Sequence, residues 1–418
     1  MSSRLVSRRE SLLSIGRMLV PGLLPRVALA PRGQRPPGDI LVCLFFRGGM
    51  DGLSVVPPYG DGAAYYNVRP TIAVPPPGGA TGAALDLDGY FGLHPALAPL
   101  KAIYDAGSLA IVQATGCIDP TRSHFDAMRF TEAASAGDRT IGTGWIGRHL
   151  MTSGWQNDSP LRAVGFNVPL QASLRGSVPA LAISTIADFR VQQFDQDNTK
   201  LENTIGQLYS TAAPIDPLGV QAKLVFDTIG TLQTLSNQSY TPEGAATYAD
   251  DGSLGSGLKQ VAQLIKADLG LEVACVDFDG WDTHNNQGVQ SGQFFSQMTA
   301  VAKNLSAFYT DLGDRMQNVT VVTMSEFGRR VEENASHGTD HGHGNVMFVM
   351  SGGVRQKQVY AKWPTLAQDS LDDGDLAVTT DHRNVLAEIV QNRLKNGAIG
   401  AVFPGLTQTA LNILNVRA

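Results

Sequence analysis

The sequence predicts an α/β fold built on a mostly parallel sheet. Short, continuously apolar runs of strand length recur along the chain, helical patterns lie between several of them, and acids and histidines gather just after or just before these runs. Continuous apolarity is what a strand covered on both faces requires, and strands alternating with helices are joined by crossovers that supply that cover.

The first run, Ile40 to Phe46, breaks at Arg47-Gly48-Gly49-Met50-Asp51-Gly52, a buried strand feeding a glycine turn. Val74 to Gly82, rich in proline and glycine, is a surface loop. His94 precedes Pro95 and opens an apolar helix, which assigns it a capping role. Further strand-length runs follow at Leu109 to Val112, Ala180 to Ser184, Leu271 to Val276, Val319 to Thr323 and Val346 to Met350. Between the third and fourth of the six, from about Gln192 to Gly257, polar residues concentrate around a helical stretch at Leu218 to Leu235. This segment is expected to be a helical insertion or outer layer of a single domain spanning 31–418. No internal repeat, P-loop or strong dinucleotide fingerprint is present.

With 418 residues and ordinary apolar and charged fractions, a large core can form without covalent staples. The formal net charge of −6, without a basic stripe, argues against nucleic acid and for a small molecule or polymer as substrate. Cys43, Cys117 and Cys275 are scattered and read as small core hydrophobes, with neither a disulfide framework nor a cysteine zinc site. At the N-terminus, Ser7-Arg8-Arg9-Glu10-Ser11-Leu12-Leu13 precedes a moderately apolar stretch that ends in Ala28-Leu29-Ala30. The pattern reads as a twin-arginine export signal over 1–30, interrupted by Arg17, Pro21 and Arg26 and so too broken to span a membrane.

The chemistry-bearing residues sit at the run ends. Asp340-His341-Gly342-His343 stands just before Asn345 to Met350, and Ser325-Glu326-Phe327-Gly328-Arg329 just after Val319 to Thr323; Asp51 and Asp282 occupy comparable places. Carboxylate oxygen and imidazole nitrogen together suit zinc, manganese or iron, and flanking glycines let ligands crowd. Structural roles stand beside these: Asp51 bonding its own turn, Glu326 paired with Arg329 or Arg330, Ser123 and His124 capping the helix Phe125 to Ala134, and Trp281 packed over a loop.

Seven segments carry a family resemblance: Phe46 to Leu53, Arg122-Ser123-His124-Phe125, Gly144-Trp145-Ile146-Gly147-Arg148, Asp282-Thr283-His284, Ser325 to Arg330, Gly338 to Gly342 and Asp381-His382-Arg383. From about Ile40 to Phe403 the chain resembles the secreted bacterial family called domain of unknown function 1501. By resemblance that family joins the alkaline phosphatase and sulfatase superfamily. The resemblance implies an alkaline-phosphatase-like three-layer sandwich and a divalent cation, zinc first, with manganese, calcium or iron as alternatives. The implied ligands are Asp51, Asp282, His284, Glu326, Asp340, His341 and His343. Ser123 takes the nucleophile's place by order along the chain, with His124 beside it, and Arg122, Arg329 and Arg47 would clamp anionic oxygens. Two departures stand out. Phe327 replaces the histidine of the superfamily's Asp-His pair, and Ile118 occupies the cysteine position of the sulfatase maturation motif.

The expectation is therefore an exported, metal-dependent hydrolase of phosphate or sulfate esters, periplasmic or extracellular, acting on a small anionic ester or a cell-envelope polymer and leaving by the twin-arginine machinery. The alternative is a non-catalytic envelope or surface protein that retains the fold.

Overall fold

The computed structural model describes residues 36, 38–155, 157–189, 217–249 and 252–417. The expected export signal (1–30) and residues 192–216 of the expected insertion lie outside them. Each apolar run forms a strand. In chain order these are β1 (Ile40–Phe46), β2 (Leu85–Asp86), β3 (Gly92–Leu93), β4 (Leu109–Gly116), β5 (Ala163–Phe166) and β6 (Leu181–Ala182). β7 (Val273–Phe278), β8 (Val319–Met324), β9 (Asn345–Ser351), β10 (Val359–Tyr360) and β11 (Thr380–Asp381) follow.

Nine of these make one sheet in the order β10-β4-β9-β8-β1-β7-β5-β6, with β11 also paired to β4; β2 and β3 form a separate hairpin. The sheet is largely parallel, and among its described strands β9 alone runs against its neighbours, β4 and β8. That reversal matters for the site. Asn345, the first residue of β9, pairs with Thr115 near the end of β4, so the loop entering β9 lies at the rim where the parallel strands finish. The Asn345 side chain fixes the junction by donating to the Phe327 carbonyl at 2.7 Å.

Alternation along each strand divides the interior into two cores. Val42, Leu44 and Phe46 of β1 join Ala274, Val276 and Phe278 of β7 beneath the helices Ser253–Ala267 and Gln293–Leu312. Leu41, Cys43 and Phe45 point the other way, with Val273 and Cys275, toward the helices Trp145–Thr152 and His382–Glu388. The result is helix, sheet, helix. All three cysteines are buried free thiols, as their apolar settings predict. The helical stretch expected at Leu218 to Leu235 is the helix Pro217–Ser236, and its Leu232 and Leu235 enter the first core. Among the described residues, no helix is long and apolar enough to cross a membrane.

Phe348, on β9, is 2 % exposed and tests the central packing. Phe348→Ala is expected to cost about 3–5 kcal/mol through lost burial and the cavity left behind, read as a lower urea midpoint at unchanged m-value.

Candidate metal centre

Four loops meet at the strand ends, and backbone packing sets how closely. Gly48, at φ +120°, passes so near the Asp282 backbone nitrogen that a Cβ would sit 2.5 Å from it; a Cβ on Gly338 would lie 2.3 Å from the His284 carbonyl oxygen. Only glycine permits either approach. Between the loops lies Arg329, 1 % exposed. It donates to the carbonyls of Gly49 (2.6 Å), Thr339 (2.7 Å), Trp281 (3.1 Å) and Gly48, and to Asp282 Oδ1 at 2.5 Å. One guanidinium thus ties the loops after β1, after β7 and before β9 to the strand end that carries it.

Three imidazoles converge above this bracket. His124 Nδ1 meets Glu326 Oε1 at 2.8 Å, His284 Nδ1 meets Asp340 Oδ1 at 2.9 Å, and His341 Nδ1 meets the Arg122 carbonyl at 2.9 Å. Every one of these oxygens accepts. Each neutral ring therefore carries its hydrogen on Nδ1 and presents a lone pair at Nε2, a tautomer assigned from its partners. The three Nε2 atoms all approach Asp282 Oδ1, at 3.6 Å for His124, 3.1 Å for His284 and 3.2 Å for His341, and the last two lie 2.9 Å apart. His124 Nε2 is buried with no hydrogen-bond partner among the described residues.

Lone-pair atoms gathered this closely about Asp282 Oδ1 are relieved by a cation or added protons between them. Ligands about 2.0–2.1 Å from a shared tetrahedral zinc stand about 3.3 Å apart, close to the spacings about Asp282 Oδ1. The residues fit a divalent cation. The ligand atoms of His124, Asp282 and His341 lie within 4.8 Å of one another. Glu326 and Asp340 are placed to orient imidazoles from behind, the carboxylate–histidine arrangement that fixes ring and tautomer.

Charge favours the ligand forms of Asp282 and His341, whereas at His124 protons compete with a cation. Burial raises the Asp282 carboxyl, but the Arg329 hydrogen bond and charge outweigh it, so Asp282 titrates below its ordinary range. Burial, aided by Arg329, lowers His341 and favours its neutral ring. The hydrogen bond to Glu326 raises His124. Phe327 packs its ring 4.9 Å from that of His124 and 4.7 Å from that of His341. It is a wall for the imidazoles.

Two expected ligands face elsewhere. Asp51 is fully buried and both its oxygens meet Arg69, at 2.6 and 3.0 Å; Ser54 and Gln287 also donate to it. Gln287 in turn accepts from Thr283 and Thr339, the neighbours of Asp282, His284 and Asp340, so this cluster buttresses the site from below. His343 bonds Asp372 at 3.0 Å and the Cys117 carbonyl at 2.8 Å, leaving neither ring nitrogen toward the cluster. Nothing in the sequence marked Arg69 or Gln287, whose partners lie up to 262 residues away.

The arginines expected as clamps are engaged within the chain: Arg47 by Asp277 and Glu132, Arg122 by Asp375 and Asp373, and Arg329 as above. Ser123 is exposed at the N-cap of the helix His124–Ala133, and its hydroxyl makes no capping bond. Trp281 is core, against Phe46, Phe278 and Phe294. His94 does cap, accepting from the Ala96 nitrogen at 3.1 Å.

Residues 110–396 match the model of a family described as "Protein of unknown function (DUF1501)". No curated protein matches the chain. Among solved structures, the fold is loosely similar to the lipoteichoic acid synthase LtaP from Listeria monocytogenes (8% identity; 85% of this chain and 78% of that chain; TM-score 0.35). It is likewise similar to the C-terminal periplasmic domain of EptC from Escherichia coli (8%; 92% and 91%; 0.36). A third is a protein in the alkaline phosphatase superfamily from Vibrio parahaemolyticus (10%; 87% and 78%; 0.32).

Arg69→Ala strands the Asp51 carboxylate in the interior and is expected to destabilise the fold by about 3–5 kcal/mol, measured by urea denaturation. Protons and a cation compete for the same imidazoles. Because Glu326 holds the His124 proton above its ordinary value of 6.5, zinc affinity is expected to rise with pH through that value and beyond. Calorimetric titration of zinc at several pH values reads the slope, and a Glu326→Gln variant should shift the rise toward lower pH.

Proposed function

The chain belongs to the family of proteins of unknown function DUF1501, and from that premise we propose that it is an exported, cation-dependent hydrolase of anionic esters. The observation that carries the reading is the convergence of His124, His284 and His341 Nε2 on Asp282 Oδ1. The site is half open to water: the Asp282 side chain is 47 % exposed and that of His284 35 %. Access of this kind suits a reacting centre better than a sealed structural one.

A divalent cation held there would supply Lewis acidity toward a phosphoryl or sulfuryl oxygen and lower the pKa of a nearby hydroxyl or water toward ~7. The chain's residues do the rest. Glu326 and Asp340 hold protons at Nδ1 of His124 and His284, keeping the opposite nitrogens basic. Arg329 fixes Asp282 and the loops around it. Ser123, next to His124 and exposed, is the proposed nucleophile: its Oγ attacks phosphorus or sulfur as its proton passes to solvent, the ester P–O or S–O bond breaks and the alcohol leaves with a proton from solvent, and water then cleaves the serine ester to release the acid and restore the hydroxyl. The first N–H groups of the helix His124–Ala133 lie at the same rim and offer donors to an anionic oxygen. Export rests on the twin-arginine pattern at Ser7 to Leu13, and the substrate is a small ester or an envelope polymer outside the cytoplasm.

A second reading, a non-catalytic envelope protein with a structural cation, draws on one observation: Arg47, Arg122 and Arg329 are all bound to acids of the chain itself. Stoichiometric metal analysis, followed by assays with p-nitrophenyl phosphate, bis-p-nitrophenyl phosphate and p-nitrophenyl sulfate, separates the two. Turnover that vanishes on chelation and returns with zinc or manganese is expected, and Asp282→Asn should lower kcat/KM at least a hundredfold. Bound metal that raises Tm with no turnover of any ester would leave the second reading standing.

A further inference from the structure

The helix that presents His124 also forms one wall of a pocket of about 340 Å³, within the range of small-ligand sites. Phe125, Met128, Arg129 and Glu132 line it from the helix, with Thr143 and Arg175 opposite. Three features make this more than a dent. Phe125 is 88 % exposed, an aromatic ring that nothing among the described residues covers. Among the described residues, exposed Arg175 has no acidic partner and Arg129 bonds only the Arg139 carbonyl at 2.5 Å, so two guanidinium groups face solvent here in a chain of net charge −6. The floor is Glu132, 5 % exposed, an acceptor held by Arg47 at 3.4 Å and by the Ser173 nitrogen. Burial, partly offset by Arg47, raises its carboxyl.

Position links the pocket to the metal centre. Phe125 adjoins His124 in sequence, and at 1.5 Å per residue Glu132 lies about 12 Å further along the helix axis. A ligand with its ester at Asp282 and its body along this helix would place several backbone units in the pocket.

We propose that this pocket binds the hydroxylated body of a negatively charged chain molecule, a polyol or glycan bearing phosphate or sulfate groups, whose ester is presented at the metal centre. The ring of Phe125 packs against the C–H face of a sugar or polyol unit, Glu132 accepts from its hydroxyls, and Arg129 and Arg175 pair with its anionic groups. The proposal deepens the hydrolase reading and depends on it for the placement of the ester. Binding in the pocket does not require the cation.

The experiment is calorimetric binding to chelator-treated protein, first of a glycerol phosphate oligomer and then of a sulfated glycan hexasaccharide. The two probes distinguish the phosphate from the sulfate source. At least one should bind, with Kd raised about tenfold in both Phe125→Ala and Arg175→Gln. Lys303→Gln, exposed on the helix Gln293–Leu312, controls for general loss of positive charge and should bind like the parent protein. Circular dichroism confirms that each variant is folded. No binding of either probe at millimolar concentration overturns the proposal. So does an unchanged Kd in Phe125→Ala together with equal weakening in Arg175→Gln and Lys303→Gln, which is the signature of diffuse electrostatics. Because the measurement is made without metal, it stands apart from the ester assays: absent turnover with retained, Phe125-dependent binding would refute the hydrolase reading and leave the pocket assignment intact.

Discussion

Lone pairs of His124, His341 and Asp282 lie within 4.8 Å of one another, with His284 Nε2 against the last two, an arrangement that positive charge among them would relieve. Glu326, Asp340 and the Arg122 carbonyl remove the alternative in which a neutral ring donates a proton inward, because each already receives the Nδ1 hydrogen. The loops are then held against the resulting repulsion by Arg329, which reaches the backbone on three sides of the site and lies outside the ring of nitrogens. Preorganisation of this kind lowers the cost of assembling a site when a ligand arrives.

The topology serves the same end. Parallel strands deliver side chains to one rim only, at their carboxyl ends. By running β9 backwards, the chain uses a loop that enters a strand as well as loops that leave strands, which is how His341 comes to face His124 and His284. The glycines at 48 and 338 remove the side-chain thickness that would otherwise keep these loops apart.

The sheet was readable because its central strands are covered on both faces and therefore continuously apolar: β1, β7, β8 and β9 coincide with the runs that the sequence displays. β5 escaped notice because it is four residues long and contains Gly165, while β10 and β11 have two residues each, too few for any periodicity. The reversal of β9 left no local trace, since direction is decided by what a strand pairs with. Clustering of His and Asp around glycine singled out Asp282, His284 and His341, whose side chains the structure brings together. The sharing of work between ligands and their supports was not legible. Whether Glu326 holds a cation or a histidine, or whether Asp51 meets a guanidinium, depends on residues such as His124 and Arg69 that lie far away in sequence and carry no spacing signal of their own.

The Asp51–Arg69 pair has a further consequence. A carboxylate at the start of the rim is neutralised by a cation covalently attached to the chain. Such a charge has no off-rate, no dependence on environmental supply and no competing ion of similar radius. Where free divalent ions come and go, that corner of the molecule would keep its electrostatic state through cycles of depletion and replenishment. Only the neighbouring nest of imidazoles would respond, leaving the framework ready for whichever ion returned.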